Sequence, residues 1–184
     1  MGTIKTTNIE PIADNGTVTL GSSGDQFTLA TGAKSSFLYP AFEAYLSASQ
    51  VPSNNTFTKV NINTEEYDTD NCYDNSTNYR FTPTVAGKYY VYAKVRGQSE
   101  TVTKLIQTAT AIYKNGSLYT ESRDITANSF TRALTNNVST VIDMNGSSDY
   151  LEVYGLIQVD SGNIDGFIGG SSRHTLFGAY RIGS

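Results

Sequence analysis

Residues 73–97, YDNSTNYRFTPTVAGKYYVYAKVRG, carry the strongest structural signal in the chain. From residue 88 onward the side chains alternate, and one face holds the mostly apolar set Tyr89, Val91, Ala93 and Val95. The other face holds Lys88, Tyr90, Tyr92, Lys94 and Arg96. A period of two predicts a β-strand whose first face lines the core. Two tyrosines on the polar face indicate a contact with another sheet or subunit, because such contacts are enriched in tyrosine.

Short strand patterns separated by turn residues also recur along the rest of the chain from residue 37 onward, and one more lies at the start of this stretch. The predicted strands cover residues 41–46, 58–62, 79–82, 103–113, 138–144, 150–155 and 177–182. Lys114, Asn115 and Gly116 predict a hairpin turn. The polar segments 63–78 and 163–175 are predicted to be loops. Because no run of helical period reaches helix length, we predict an all-β antiparallel sandwich.

The composition narrows the classes of function. Charged residues make up 16% of the 184 residues, and the formal net charge is −4. This balance argues against a nucleic-acid partner, because nucleic-acid binding needs a basic surface. The first ten residues contain no apolar run, so we expect neither a secretory signal nor membrane insertion. Cys72 is the single cysteine, which excludes an intrachain disulfide and a multi-cysteine zinc site.

These motifs resemble those of the complement C1q and tumour-necrosis-factor family of trimeric jelly-roll domains. The resemblance runs through YD at 73–74, YRFTP at 79–83, GKYYV at 87–91, KNG at 114–116 and FGAYRI at 177–182. The chain departs from the family pattern at Pro83, which follows Phe81 by two residues instead of three, and at Val91, where the family usually has an aromatic residue. The resemblance implies a jelly-roll head over residues 37–184 that forms a homotrimer. It also implies an aromatic trimer interface at the matching positions Tyr90, Tyr92, Phe177 and Tyr180.

Residues 1–36 differ from the rest and are predicted to form an extended N-terminal arm. The strand signal TVTLG at 17–21 is echoed by QFTLA at 26–30, and both are closed by small residues. Such a segment has too few apolar residues for a core of its own. It resembles the N-terminal and shaft regions of bacteriophage tail fibres, so we expect it either to wind with its copies into a stalk or to dock on a neighbouring protein. The apolar side chains predicted to make this attachment are Ile9, Val18, Leu20, Phe27 and Leu29.

Few residues offer catalytic or metal-binding chemistry. His174, the single histidine, has no sequence partner that would orient it as a base. A glycosidase would require Asp160 and Asp165 to face one groove. Asp68 and Asp70 have the alternate spacing that suits calcium, but the glycine and distal glutamate of an EF-hand loop are missing. We therefore predict no enzyme, no cofactor and no metal site, with Asp68 and Asp70 as the calcium candidates.

The function implied by the resemblance is that of a bacteriophage virion structural protein. A homotrimeric fibre or appendage head would bind a glycan or protein on the host surface, through the loops 63–78 and 163–175. The arm would attach the head to other virion proteins, which locates the protein on the particle surface. One alternative is a capsid decoration or cement protein with the same fold. A second alternative is a secreted cytokine-like or lectin-like ligand.

Overall fold

The computed structural model describes residues 38–126 and 130–183, and within these ranges the regular structure consists of β-strands alone. The strands are β1 (Ala41–Tyr45), β2 (Thr58–Lys59), β3 (Thr64–Asp68), β4 (Tyr73–Asp74), β5 (Arg80–Phe81), β6 (Gly87–Ser99), β7 (Leu105–Lys114), β8 (Ser117–Ile125), β9 (Ala133–Met144), β10 (Leu151–Val159), β11 (Ile164–Phe167) and β12 (Leu176–Gly183). The all-β prediction is therefore confirmed. The predicted arm residues Ile9, Val18, Leu20, Phe27 and Leu29 lie outside the described residues.

The strands form two antiparallel sheets that face each other. The first sheet has the order β9–β6–β12–β1–β3, and short β11 pairs with the end of β6 beside β12. The second sheet has the order β4–β5–β10–β7–β8, and β2 also pairs with β10. The predicted antiparallel sandwich is confirmed. Since β12 runs antiparallel to both β1 and β6, those two strands begin at the same end of the sandwich.

The core lies between the sheets and contains the predicted apolar face of β6. Tyr89, Val91, Ala93 and Val95 are all buried. At the end where β6 begins, the Phe42 ring stacks on Tyr73 and on Phe81, with centroid distances of 4.6 and 4.5 Å. Phe177 meets Phe42 edge to face at 4.9 Å. Contacts between aromatic rings from both sheets therefore hold this part of the sandwich together.

A buried polar network also links the two sheets. Asn136 on β9 accepts hydrogen bonds from Thr108 at its side chain and from Thr110 at its carbonyl. Its amide Nδ2 donates to Asp124 on β8 at 2.9 Å. Both ends of the Asn136 side chain are therefore satisfied, which removes the cost of burying an unpaired amide. The network fixes one alignment of β9 against β7 and β8.

Four elements differ from their predictions. The predicted loop 63–78 contains β3 and β4, and the predicted loop 163–175 contains β11, because their pairing with distant strands is not visible in the local sequence. The predicted strand 58–62 is paired as a strand only at Thr58–Lys59. The turn at Asn115 and Gly116 has positive φ at both residues, as predicted for a tight hairpin. Its second strand, β8, was not predicted, because it is largely exposed and its apolar residues do not alternate. No helix in the described ranges is long and apolar enough to cross a membrane.

Candidate assembly surface

A set of tyrosines lies on the outer face of the first sheet, opposite the core. On β6, Tyr90 is the register partner of Val141 on β9 and of Tyr180 on β12. The ring centroids of Tyr90 and Tyr180 are 5.5 Å apart, and those of Tyr90 and Tyr92 are 6.1 Å apart. Across the sheet, Tyr67 on β3 continues this surface and is 43% exposed. We call Tyr67, Tyr90, Tyr92, Tyr180 and Val141 the tyrosine face.

The Tyr92 side chain is held in place by a hydrogen bond. Its hydroxyl donates to Glu43 Oε2 at 2.7 Å, across β12. Burial, followed by the Glu43 carboxylate and the Tyr67 hydroxyl, raises the pKa of Tyr92 well above the ordinary tyrosine range. The phenol therefore stays protonated and uncharged at every physiological pH. An aromatic ring fixed in this way loses little additional freedom when another surface covers it.

An ionic border lies beside the tyrosine face. Arg173 pairs with Glu66, and its second amino group lies 3.8 Å from the Glu43 carboxylate. The guanidinium also lies over the Tyr45 ring, 5.4 Å from its centroid. This border continues the Glu43 contact that fixes Tyr92. Charged groups therefore flank the rings on two sides, because the Lys88–Asp143 pair lies next to Tyr90 and Val141 in the strand register.

A shallow depression of about 360 Å³ adjoins the two central tyrosines. Its walls come from Tyr90, Tyr92 and Lys94 on β6, Asn137 and Ser139 on β9, and Leu176 on β12. This volume lies within the range of about 300–1,000 Å³ that side chains or small ligands fill. The tyrosine face is thus not flat, and a protruding side chain of a partner could enter it.

The structure brings together three of the four predicted interface residues. Tyr90, Tyr92 and Tyr180 share the outer face, although whether they form a trimer interface stays a prediction. Phe177 requires a correction, because its side chain is fully buried in the core against Phe42. On β12, residue 177 faces inward and residue 180 faces outward, since alternation puts odd and even positions on opposite faces.

Sequence reasoning missed two members of the tyrosine face. Tyr67 lay in a predicted loop, so its strand register was not considered. Val141 is 44% exposed on β9, next to buried Ile142. A valine on the polar face of an alternating strand is the sequence signal that could have indicated Val141 as a surface contact residue.

The carboxylates of the two calcium candidates, Asp68 and Asp70, accept hydrogen bonds from neighbouring residues. Asp68 accepts one from the backbone N–H of Asp70 at Oδ1 and one from that of Tyr73 at Oδ2, at 3.2 and 2.7 Å. Asp70 Oδ2 accepts the Thr69 hydroxyl at 2.5 Å. Across residues 38–126 and 130–183, no group of three His, Cys, Asp or Glu side chains is arranged to hold a metal ion.

The residues considered as catalytic candidates, Asp160, Asp165 and His174, each have different interaction partners. The Asp165 carboxylate accepts hydrogen bonds from Gln98 and Arg132, and the Gln98 bond is the main cause that lowers the pKa of Asp165. A carboxylate held ionised in this way is a poor general acid. Asp160 lies on the surface, 3.6 Å from Lys104. The His174 ring makes no hydrogen bond with any residue that the structure describes.

Comparison with known proteins identifies the fold. No protein-family model and no curated protein sequence matches the chain. Among solved structures, the globular domain of zebrafish complement 1qA protein matches with a TM-score of 0.51 and 15% identity, covering 78% of this chain and 96% of that one. The chain has a C1q/TNF-like fold. Murine APRIL at pH 8.0 matches with a TM-score of 0.54 and 9% identity, over 77% of this chain and 97% of that one.

A third similar structure, Eiger TNF from S. frugiperda, has a TM-score of 0.55 and 7% identity, and the match covers 80% of this chain and 94% of that one. The matched domains are thus covered almost completely. Identities this low show the fold alone. The similarity confirms the predicted C1q/TNF-like jelly-roll fold, and the function of this chain has to be argued from its surface.

Proposed function

We propose that this protein is a non-enzymatic binding head that assembles as a homotrimer. Three copies of the tyrosine face would close around a shared axis. The observation that carries the proposal is the cluster of Tyr90, Tyr92 and Tyr180, whose rings meet on the outer face of one sheet. A solvated sheet face usually carries polar side chains, whereas a subunit contact is enriched in aromatic ones.

The physics of these side chains suits self-association. Each tyrosine buries a large apolar area and has few rotatable bonds, so ordering it costs little entropy. The Tyr92 ring is already positioned by Glu43. Hydroxyl groups at the ring edges leave the surface compatible with water before assembly. A closed three-fold arrangement would cover the surface in every copy, which is how symmetric oligomers avoid open-ended growth.

The mechanism proposed for binding is avidity. Three equivalent weak sites on one rigid head gain affinity because the second and third contacts are intramolecular. No catalytic step is needed. The fold similarity to a complement globular domain and to tumour-necrosis-factor proteins is compatible with a binding role.

We further propose that the head belongs to a bacteriophage particle and is displayed on the virion surface. Residues 1–36 would attach it to other virion proteins, and the head would bind a glycan or protein of the host surface. Support comes from the resemblance of this segment to tail-fibre shafts. In the decoration-protein alternative, the protein would form the same trimer but would have no ligand on the host. The secreted-ligand alternative is compatible with the similarity to murine APRIL and Eiger TNF.

The deciding experiment is native mass in solution. Light scattering at micromolar concentration should give three times the 19.9 kDa of one chain. Tyr180→Asp should give a monomer with an unchanged circular-dichroism spectrum, because a buried unpaired carboxylate is costly. Tyr119→Asp is the matched control, since Tyr119 is 49% exposed on β8. A monomeric wild-type protein would contradict the proposal, and a trimer that survives deletion of residues 1–36 would assign assembly to the head.

A further inference from the structure

A polar pocket lies on the side of the sandwich, where β3 of the first sheet meets the β4–β5 hairpin of the second. Its volume is about 650 Å³, within the range of about 300–1,000 Å³ typical of ligand sites. We call it the polar pocket and define it by Glu65, Asn71, Asn75 and Arg80, together with Asp74 in its wall. None of these residues belongs to the tyrosine face.

The wall of the polar pocket is rigid. The Asp74 carboxylate accepts hydrogen bonds from the backbone N–H groups of Ser76, Thr77 and Asn78, at 3.1, 2.9 and 3.0 Å. It also accepts the Asn78 side-chain amide at 2.7 Å. These bonds, that from Thr77 first, lower the pKa of Asp74, so this carboxylate is ionised and fully engaged. The hairpin is thus preformed, and a ligand would not have to order it.

The remaining polar groups of the pocket lack partners. The side chains of Glu65, Asn71, Asn75 and Arg80 make no hydrogen bond or ion pair with any residue in the described ranges. The Arg80 guanidinium lies 4.5 Å above the centre of the Tyr150 ring, which holds it in one orientation. The pocket therefore presents a planar donor group, an acceptor carboxylate and two amides that both donate and accept.

This donor and acceptor set matches adjacent hydroxyl groups. A hydroxyl both donates and accepts, so neighbouring hydroxyls can bond a carboxylate and a guanidinium at once. The charges argue against an ionic ligand, since Glu65 and Asp74 together outweigh Arg80 and would repel a phosphate or a uronate. We propose that the polar pocket binds a neutral hexose unit of a surface glycan. This inference rests on the proposed role as a binding head, and it names the ligand class.

The test is binding of the full chain to immobilised oligosaccharides. The probe is an array of neutral glycans containing glucose, galactose, mannose or N-acetylglucosamine, together with uronic-acid and phosphorylated counterparts. Binding to one or more neutral glycans in the presence of a chelator is the expected result. Binding only to the acidic glycans, binding that requires calcium, or no binding to the array would each overturn the inference.

Variants locate the site. Glu65→Gln and Arg80→Lys should each weaken binding to the selected glycan about tenfold or more, because hydrogen bonds to charged groups are the strong ones. Arg80→Lys keeps the charge and loses the planar fork. Asp160→Asn and Arg123→Lys make the same chemical changes away from the pocket and should leave affinity unchanged, since Arg123 also lies over an aromatic ring, that of Phe57. Unchanged affinity in both pocket variants would overturn the site.

The same samples separate this inference from the proposed trimer. Native mass reports assembly, and the array reports ligand binding. A trimer that binds no glycan would reject the polar pocket and leave the assembly intact. A monomer that binds through Glu65 and Arg80 would reject the trimer and support the pocket. Circular dichroism of each variant separates lost binding from lost folding.

Discussion

The ring of Tyr92 lies directly across Gly178, its register partner on β12. A Cβ atom at position 178 would overlap the Tyr92 ring at Cζ and at the hydroxyl oxygen. Only a residue without a side chain lets the phenol cross β12 and reach Glu43. The shape of the tyrosine face thus depends on a glycine that is not itself part of it.

Gly178→Ala should weaken self-association while leaving the sandwich folded. The added methyl group forces Tyr92 out of its position and breaks its bond to Glu43, and overpacking of this kind costs about 1–3 kcal/mol. Light scattering across a dilution series should show dissociation at higher protein concentration than in the wild type. Gly183→Ala on the same strand is the control, because a Cβ there would have no atom within 4 Å among the described residues other than its chain neighbours. Equal dissociation of both variants would reject this role for Gly178.

Phe42→Ala should destabilise the fold by about 3–5 kcal/mol. The Phe42 ring is fully buried and contacts three other rings, so its removal leaves a cavity that the sheets cannot close. Urea unfolding followed by circular dichroism measures the effect. Phe130→Ala is the control, because Phe130 is 87% exposed and its removal should change stability by less than about 0.5 kcal/mol. A loss below about 1 kcal/mol for Phe42→Ala would show that the aromatic cluster is not the main contact between the sheets.

Asn136→Ala should cost about 1–3 kcal/mol. The substitution leaves the buried Thr108 hydroxyl without its acceptor and removes the hydrogen bond to the exposed Asp124 carboxylate. Thr135→Ala on the exposed side of the same strand is the control. Both are measured by urea unfolding. If Asn136→Ala is as stable as the wild type, the buried network contributes to alignment of the sheets and not to stability.

Acid should destabilise the protein through carboxylates whose pKa values are lowered in the folded state. The pKa of Asp74 is lowered chiefly by the hydrogen bond from the Thr77 backbone N–H, and the pKa of Asp149 chiefly by the hydrogen bond from the Asn115 amide. Because the folded-state pKa lies below the unfolded one, each ionised group stabilises the fold above about pH 4. That contribution is lost as the pH falls towards the folded-state value.

Melting temperatures between pH 7 and pH 2 check this expectation. Asp74→Asn should melt below the wild type at pH 7, and the difference should shrink as the pH falls below about 4. Asn75→Ala, in the same turn, removes no titrating group, so its difference in melting temperature from the wild type should stay constant across this pH range. A pH-independent gap for Asp74→Asn would contradict the assignment.

The sequence predicts those parts of the fold that depend on local alternation. The core face of β6 and the turn at Asn115 are correct because each is determined within one segment. Phe177 was assigned to the surface by family resemblance, whereas the alternation of β12 places it inside. Tyr67 and Glu65 could not be assigned, because their position depends on which strands become neighbours. The polar pocket joins residues of two sheets, and no spacing along the chain indicates it.

The common starting end of β1 and β6 gives the head a direction. The described chain begins at Leu38, at that end, and the turn at residues 145–150 lies there too. The segments 100–104 and 160–163 lie at the opposite end, where β6 and β10 finish. A peptide tag or fluorescent label inserted at 160–163 would therefore lie at the end of the sandwich opposite Leu38, and one at 145–150 would lie at the same end as Leu38.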